Sequence, residues 1–175
     1  MKKLFSGKGK YEKQKLPYLR IVLSLLAGVA LAVVVLLNVF THIFSVVQYY
    51  GDGMQPRLQD RQILIVLQTQ NVEQGDVVAF YYNNKVLVRR IICGGGTSIE
   101  IDDKGAVSID GTPLEEPYVA QPALGQSNID YPYTVPHEEF FVMGDNRQIS
   151  MDSRLEEIGT IPVDRIIGKV IFDFG

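Results

Sequence analysis

The sequence predicts an all-β ectodomain carried behind one N-terminal transmembrane helix. Three observations lead there. A long uncharged apolar run follows a basic start, Val/Ile/Phe/Tyr-rich segments recur at short spacing, and Asn- or Gly-containing turns separate those segments. With 175 residues, 46% hydrophobic and 21% charged, the chain has the composition of one compact domain plus an accessory segment.

The helix comes first. Residues 1–20 carry Lys2, Lys3, Lys8, Lys10, Lys13, Lys15 and Arg20 against one acid, Glu12. No Lys, Arg, Asp or Glu occurs from Ile21 to Gly51. A bilayer core needs about 20 apolar residues in a helix, so residues 21–47 are read as the anchor. The run is longer than the 7–15 residues of a secretory h-region. It also leaves no solvated face for a soluble helix. Basic residues before the span and none close behind it place residues 1–20 in the cytoplasm and 48–175 outside, as a single-pass protein of the cell membrane.

The strands follow. Val77–Tyr82 and Lys85–Ile92 flank Asn83-Asn84, whose tolerance of positive φ suits a tight hairpin. Ser98–Asp102 and Ala106–Asp110 flank Asp103-Lys104-Gly105 as a second hairpin. Ile63–Leu67, Phe140–Met143 and Ile166–Phe174 read as further strands, 111–138 as long loops, and Leu155–Ile158 as a helical turn.

Composition also excludes. Beyond residue 47 the balance is ten basic to nineteen acidic residues, which argues against nucleic acid as a partner. One cysteine, Cys93, rules out a disulfide framework, and two histidines 95 positions apart make no metal site. No cofactor is expected. The run Gly94-Gly95-Gly96 lacks the Lys-Ser/Thr of a phosphate loop.

Chemistry concentrates in Gly51–Leu58, Lys85–Gly96 and Gly144–Arg154. The third segment packs Asp145, Arg147, Ser150, Asp152, Ser153 and Arg154 into eleven residues. An ion-paired structural loop is the plain interpretation, since buried charges must be partnered.

The order of these segments resembles the bacterial type I signal peptidases (S26), in a small Gram-positive form. That family has an anchor, then G-x-S-M-x-P-T-L, G-D-V-V, V-K-R-I-I-G-x-P-G-D, and G-D-N-R-x-x-S-x-D-S-R. Gly75-Asp76-Val77-Val78 matches the second box, and Gly144-Asp145-Asn146-Arg147 through Ser150-Met151-Asp152-Ser153-Arg154 matches the last almost residue for residue. The resemblance implies a distorted β-barrel or sandwich lying against the outer membrane face. It also implies a serine nucleophile and a neutral lysine base. Counted from Gly51 and Met54, the serine position holds Gly53; counted from Arg90-Ile91-Ile92, the lysine position holds Arg89. Arginine stays protonated in proteins and is no base. Arg57, Cys93 and Gly94-Gly95-Gly96-Thr97 also depart from the family pattern.

The expectation drawn from these departures is a pseudoenzyme, not an enzyme. Asp145, Arg147, Ser150, Asp152 and Arg154 then hold the floor of a former site. Asp52, Gly53, Met54 and Arg89 line a groove for an extended peptide. Arg89 either recognises a carboxylate or carbonyl of that peptide or ion-pairs with Asp145 or Asp152. An Asp52–Asp145 or Asp52–Asp152 carboxylate pair and a Cys93 nucleophile are weaker substitutes for the dyad. Resemblance to the non-cleaving members of the family implies a chaperone-like assembly factor for sortase-built pili, with pilin subunits or sortase as partners. An active signal peptidase and a purely structural membrane protein are the alternatives.

Overall fold

The computed structural model describes residues 9–174, and the first eight residues of the basic tail lie outside the described residues. The chain divides between His42 and Ile43 into two compact units.

The first is the helix α1, Gly9–Ile43. Its segment Tyr18–Ile43 is long and apolar enough to cross a membrane, with a mean hydropathy of 2.7 over its most apolar stretch. Leu23, Leu26, Leu31 and Leu36 are all more than half exposed, so no apolar stripe is reserved for a protein core. The polar residues within the run bond to their own helix. Ser24 Oγ donates to Ile21 O at 2.8 Å and Thr41 Oγ1 to Asn38 O at 2.9 Å. His42 Nδ1 lies 2.8 Å from Asn38 O. Polar groups satisfied inside the helix do not oppose burial in lipid.

The helix stops earlier than the apolar run. Phe44–Gln48 forms strand β1 instead, paired antiparallel with β2, Ile63–Leu67. Val46 and Val47 satisfy a helix and a strand equally well by hydropathy, and cross-strand pairing with Ile65 and Leu64 decides it.

The second unit is β-sheet. After β2 come β3 (Val77–Tyr82), β4 (Lys85–Gly94), β5 (Ser98–Ile101), β6 (Val107–Ile109), β7 (Thr112–Pro113), β8 (Tyr133–Thr134), β9 (Glu139–Met143), β10 (Ile161–Pro162) and β11 (Ile166–Phe174). One sheet runs β1-β2-β11-β3-β4-β9-β10, and a smaller one β7-β6-β5-β8. Both hairpins read from the sequence form. Asn83 and Asn84 take φ of 45° and 59°, and the turn joins β3 to β4 in the register Tyr82 to Lys85. The two-residue strands β7, β8 and β10 escape period-two patterning because so short a segment shows no alternation. Leu155–Ile158 is a turn rather than a helix, closed by Gly159 N donating to Leu155 O at 2.9 Å.

Three apolar clusters fill the unit. Tyr49, Met54, Leu58, Leu64, Val66 and Val88 form one, and Val78, Phe80, Ile91, Val142 and Ile161 another. Cys93, Ile99, Val107, Phe141 and Met143 join the two sheets in the third. Strand β4 contributes to all three, which fixes Arg89 and Arg90 on the most constrained strand of the unit.

Candidate functional site

The loop Gly144–Arg154, following β9, is held by an inward-facing charge network. Asp152, fully buried, accepts two bonds from Arg154, Nε to Oδ1 and Nη2 to Oδ2, both at 2.8 Å. Asp152 Oδ2 also accepts from Gly144 N at 2.9 Å. The other guanidinium nitrogen of Arg154 donates to Leu124 O at 2.6 Å and Arg147 O at 2.9 Å. Arg147 donates to Gly144 O at 3.0 Å and reaches the Glu116 carboxylate in a fork, at 2.9 and 2.5 Å. Ser153 Oγ accepts from Val142 N at 3.0 Å, tying the loop back to its strand. Each buried charge in this floor has its counter-charge, as burial demands.

Asp145 belongs to the same scheme through Arg90. Arg90 Nε and Nη2 reach its two carboxylate oxygens at 2.8 and 2.5 Å, and Nη1 donates to Gly75 O at 2.8 Å. The guanidinium carbon stands 4.0 Å from the centre of the Tyr118 ring, a cation–π contact. Sequence reasoning missed Arg90, Glu116 and Tyr118. A count would have exposed part of this, because Asp145 and Asp152 cannot serve Arg90, Arg147 and Arg154 at once. The third acid lies in a stretch with no strand pattern, where nothing fixes its position.

Arg89 is different. It makes no ion pair among the described residues. Its Nε donates to Met151 O at 2.9 Å and Nη1 to Val88 O at 2.6 Å, and it also bonds the Tyr49 hydroxyl. The expected pairing with Asp145 or Asp152 therefore does not form, since each has its own arginine. Burial pulls the Arg89 pKa below the usual guanidinium value, and the charge of Asp152 partly offsets this. Tyr49 is the support beneath: its hydroxyl accepts from Met54 N at 3.0 Å, and burial raises its pKa.

Gly53 lies directly above this guanidinium. A β-carbon at position 53 would stand 3.3 Å from Arg89 Nη2 and 3.4 Å from Ser150 Oγ. Ser150 is 2% exposed, and its hydroxyl has no hydrogen-bond partner, alone in this among the buried side-chain polar atoms of the described residues. The backbone closes around them. Asn146 N donates to Gly53 O at 3.0 Å, and any side chain at Gly144 would strike Ser150 Oγ and Gly53 O. Gly53, Arg89 and Ser150 thus meet in one slot.

Beside the slot opens a cavity of about 690 Å³, lined by Asp52, Gln55, Gln59, Gln121, Asn146 and Gln148 among others. Asp52 is exposed there and accepts from Gln55 Nε2 at 2.7 Å. Asp145, also on the wall, is paired with Arg90, so the two carboxylates do not share a proton as a dyad would. Met54, expected in the groove, is buried in the core instead, because its backbone turn directs it beneath Gly53 against Tyr49 and Leu58. Cys93 is buried between the sheets with its thiol pKa raised by burial, the wrong direction for a nucleophile. No group of residues able to hold a metal ion occurs among the described residues.

Comparison with known proteins decides the family. The family described as signal peptidase, peptidase S26, matches residues 21–174. The chain belongs to the S26 signal peptidase family. It is 30% identical over 176 residues to Signal peptidase I of Bacillus amyloliquefaciens, covering 94% of each chain. It is 35% identical over 162 residues to Signal peptidase I T of Bacillus subtilis (strain 168), covering 84% of this chain and 83% of the other. Signal peptidase IB of Staphylococcus aureus (strain COL) is 30% identical, with 87% and 89% covered. The crystal structure of a signal peptidase I from Enterococcus faecalis V583 matches with a TM-score of 0.50 and 27% identity, over 58% of this chain and 97% of that one. That is the β fold expected from the sequence.

These relatives overturn the expectation that the protein is not an enzyme, and with it the pseudoenzyme reading. The family is described as a peptidase, and the relatives carry the name of signal peptidase I. The physical weakness of that expectation is visible in the slot. Glycine at 53 removes a hydroxyl from one position, yet the Ser150 hydroxyl stands 3.4 Å from where a side chain there would begin.

Proposed function

We propose that the protein works at the membrane surface as a signal-peptidase-type peptidase on exported polypeptides. It engages an extended segment of its substrate along the Gly53 turn. The helix Tyr18–Ile43 serves as a single-pass anchor, with residues 1–20 cytoplasmic and 48–175 outside, following the basic excess before the span. The observation that carries this reading is the slot. A partnerless Ser150 hydroxyl and a buried Arg89 cation close in on the Gly53 backbone, beside a cavity walled by amide side chains. Arg89 is suited to polarise an acyl oxygen and not to accept a proton. The Ser150 hydroxyl is placed to donate a hydrogen bond to the same oxygen, not to attack, since no base takes its proton.

A second reading uses the same slot. The glycine and arginine at the positions matching the family's serine and lysine favour prolonged holding of a segment over rapid turnover. Resemblance then makes pilin subunits or sortase the bound partners, in a chaperone-like role during pilus assembly.

The deciding experiment incubates the full-length protein in lipid nanodiscs with a labelled preprotein carrying a photo-crosslinker. The expected result is crosslinking to the Gly53 turn and cleavage that Ser150→Ala slows. Crosslinking without cleavage transfers the function to the holding reading. Absence of both removes the segment-binding function altogether.

A further inference from the structure

We infer that Glu116 and Tyr118 are positioning residues for the substrate segment: they clamp the strap 116–124 to the floor and so set both the cavity wall and the Gly53 turn. This rests on the segment-binding reading and adds two side chains that lie outside the matched motifs.

The clamp is made locally. Pro117 follows Glu116, and Val119 N donates to Glu116 O at 3.0 Å, a turn with proline at its second position. Tyr118 Oη donates to Glu116 Oε1 at 2.9 Å, so ring and carboxylate are fixed together. Burial, reinforced by the Glu116 charge, raises the Tyr118 pKa and keeps the phenol a donor. Each side chain then grips one arginine. Glu116 takes Arg147 in its fork, and the Tyr118 ring lies 4.0 Å from the guanidinium carbon of Arg90.

Those two arginines bracket one turn. Arg90 holds Asp145, and Arg147 Nε donates to Gly144 O at 3.0 Å. Asn146 stands between them, with N donating to Gly53 O at 3.0 Å and Nδ2 to Asp52 O at 3.2 Å. A displacement of the strap therefore reaches the Gly53 turn through Asn146. The same strap walls the cavity with Ala120 and Gln121, and Gln148 Nε2 donates to Gln121 Oε1 at 3.0 Å. At its far end Arg154 Nη1 donates to Leu124 O at 2.6 Å, and any side chain at Gly125 would strike Arg147 O.

Charge balance alone does not require this design. Arg154 finds its acid two residues away in Asp152, whereas Arg147 takes one 31 residues away, on the segment that lines the cavity. Tyr118 adds no charge to an Arg90 that Asp145 already completes; its ring fixes where the pair sits.

The test titrates the full-length protein in nanodiscs with the photo-crosslinking preprotein and reads two quantities at the Gly53 turn. Unfolded protein lowers the maximal yield and leaves the half-saturating concentration unchanged, whereas lost positioning raises the half-saturating concentration. Tyr118→Leu is expected to raise it about tenfold, and Tyr118→Phe, which keeps the ring over Arg90, to stay within about threefold of the parent. Glu116→Gln, which keeps the shape and loses the charge, is expected to raise it as well. Parent-like half-saturation in both Tyr118→Leu and Glu116→Gln, whatever the yield, overturns the clamp while segment binding stands. Equal effects of Tyr118→Phe and Tyr118→Leu overturn the part assigned to the ring. A parent protein that does not crosslink overturns the segment-binding reading and the clamp with it.

Discussion

The floor of the site and the slot above it are built from the same residue types and obey opposite rules. In the floor, Asp152 meets Arg154, Asp145 meets Arg90 and Glu116 meets Arg147, each with two N–O contacts of 3.0 Å or less. In the slot, Arg89 has only carbonyls and a phenol, and Ser150 has nothing. Both regions are buried, so solvent does not explain the difference. Charges that complete one another within the chain serve folding. On the proposed reading, Arg89 and Ser150, left incomplete at equal depth, serve the substrate.

Substitutions sharpen this contrast, beginning with the largest effect. Asp152→Ala strands the Arg154 guanidinium, frees Gly144 N and loosens the whole loop. Removing one partner of a buried pair costs about 3–5 kcal/mol. Denaturant unfolding of the full chain should show that loss. Arg147→Met leaves the Glu116 carboxylate, itself mostly buried, without its fork. The expected loss is about 1–3 kcal/mol, visible as a lowered thermal midpoint. Ser150→Ala moves the other way. It deletes a buried hydroxyl that bonds to nothing, so unfolding free energy should rise by about 1 kcal/mol. Cleavage or peptide binding by that variant should fall. A floor residue loses both together, and the slot serine separates them.

How much of this was legible in the sequence depends on the range of the interaction involved. The hairpin at Asn83-Asn84 and the strand Ile63–Leu67 follow from local turn chemistry and β-rich composition, and both are present. The apolar run showed the helix but not its end, because Phe44–Gln48 becomes a strand only through pairing with β2. Asp152 with Arg154 is two residues apart and was within reach of local reasoning. Arg147 with Glu116 spans 31 residues and Arg90 with Asp145 spans 55, and no local pattern encodes them. The slot itself was half legible. Gly53 and Arg89 stood out as departures from the family pattern, while the unpartnered state of Ser150 emerges only when the loop closes over it. Inferring absence of activity from the identities of Gly53 and Arg89 failed against relatives that carry the name of signal peptidase I.

The central claim is that Arg89 is kept for a ligand and the other buried arginines for the fold. Its most direct test is the unfolding free energy of Arg89→Met, which keeps an apolar stem of similar length and removes the uncompensated charge. The expected value lies within about 1 kcal/mol of the parent protein, because lost bonds to two carbonyls are offset by the removal of a buried, unpaired cation. A loss of about 3 kcal/mol or more, like that of Asp152→Ala, would contradict it and make Arg89 one more member of the structural floor.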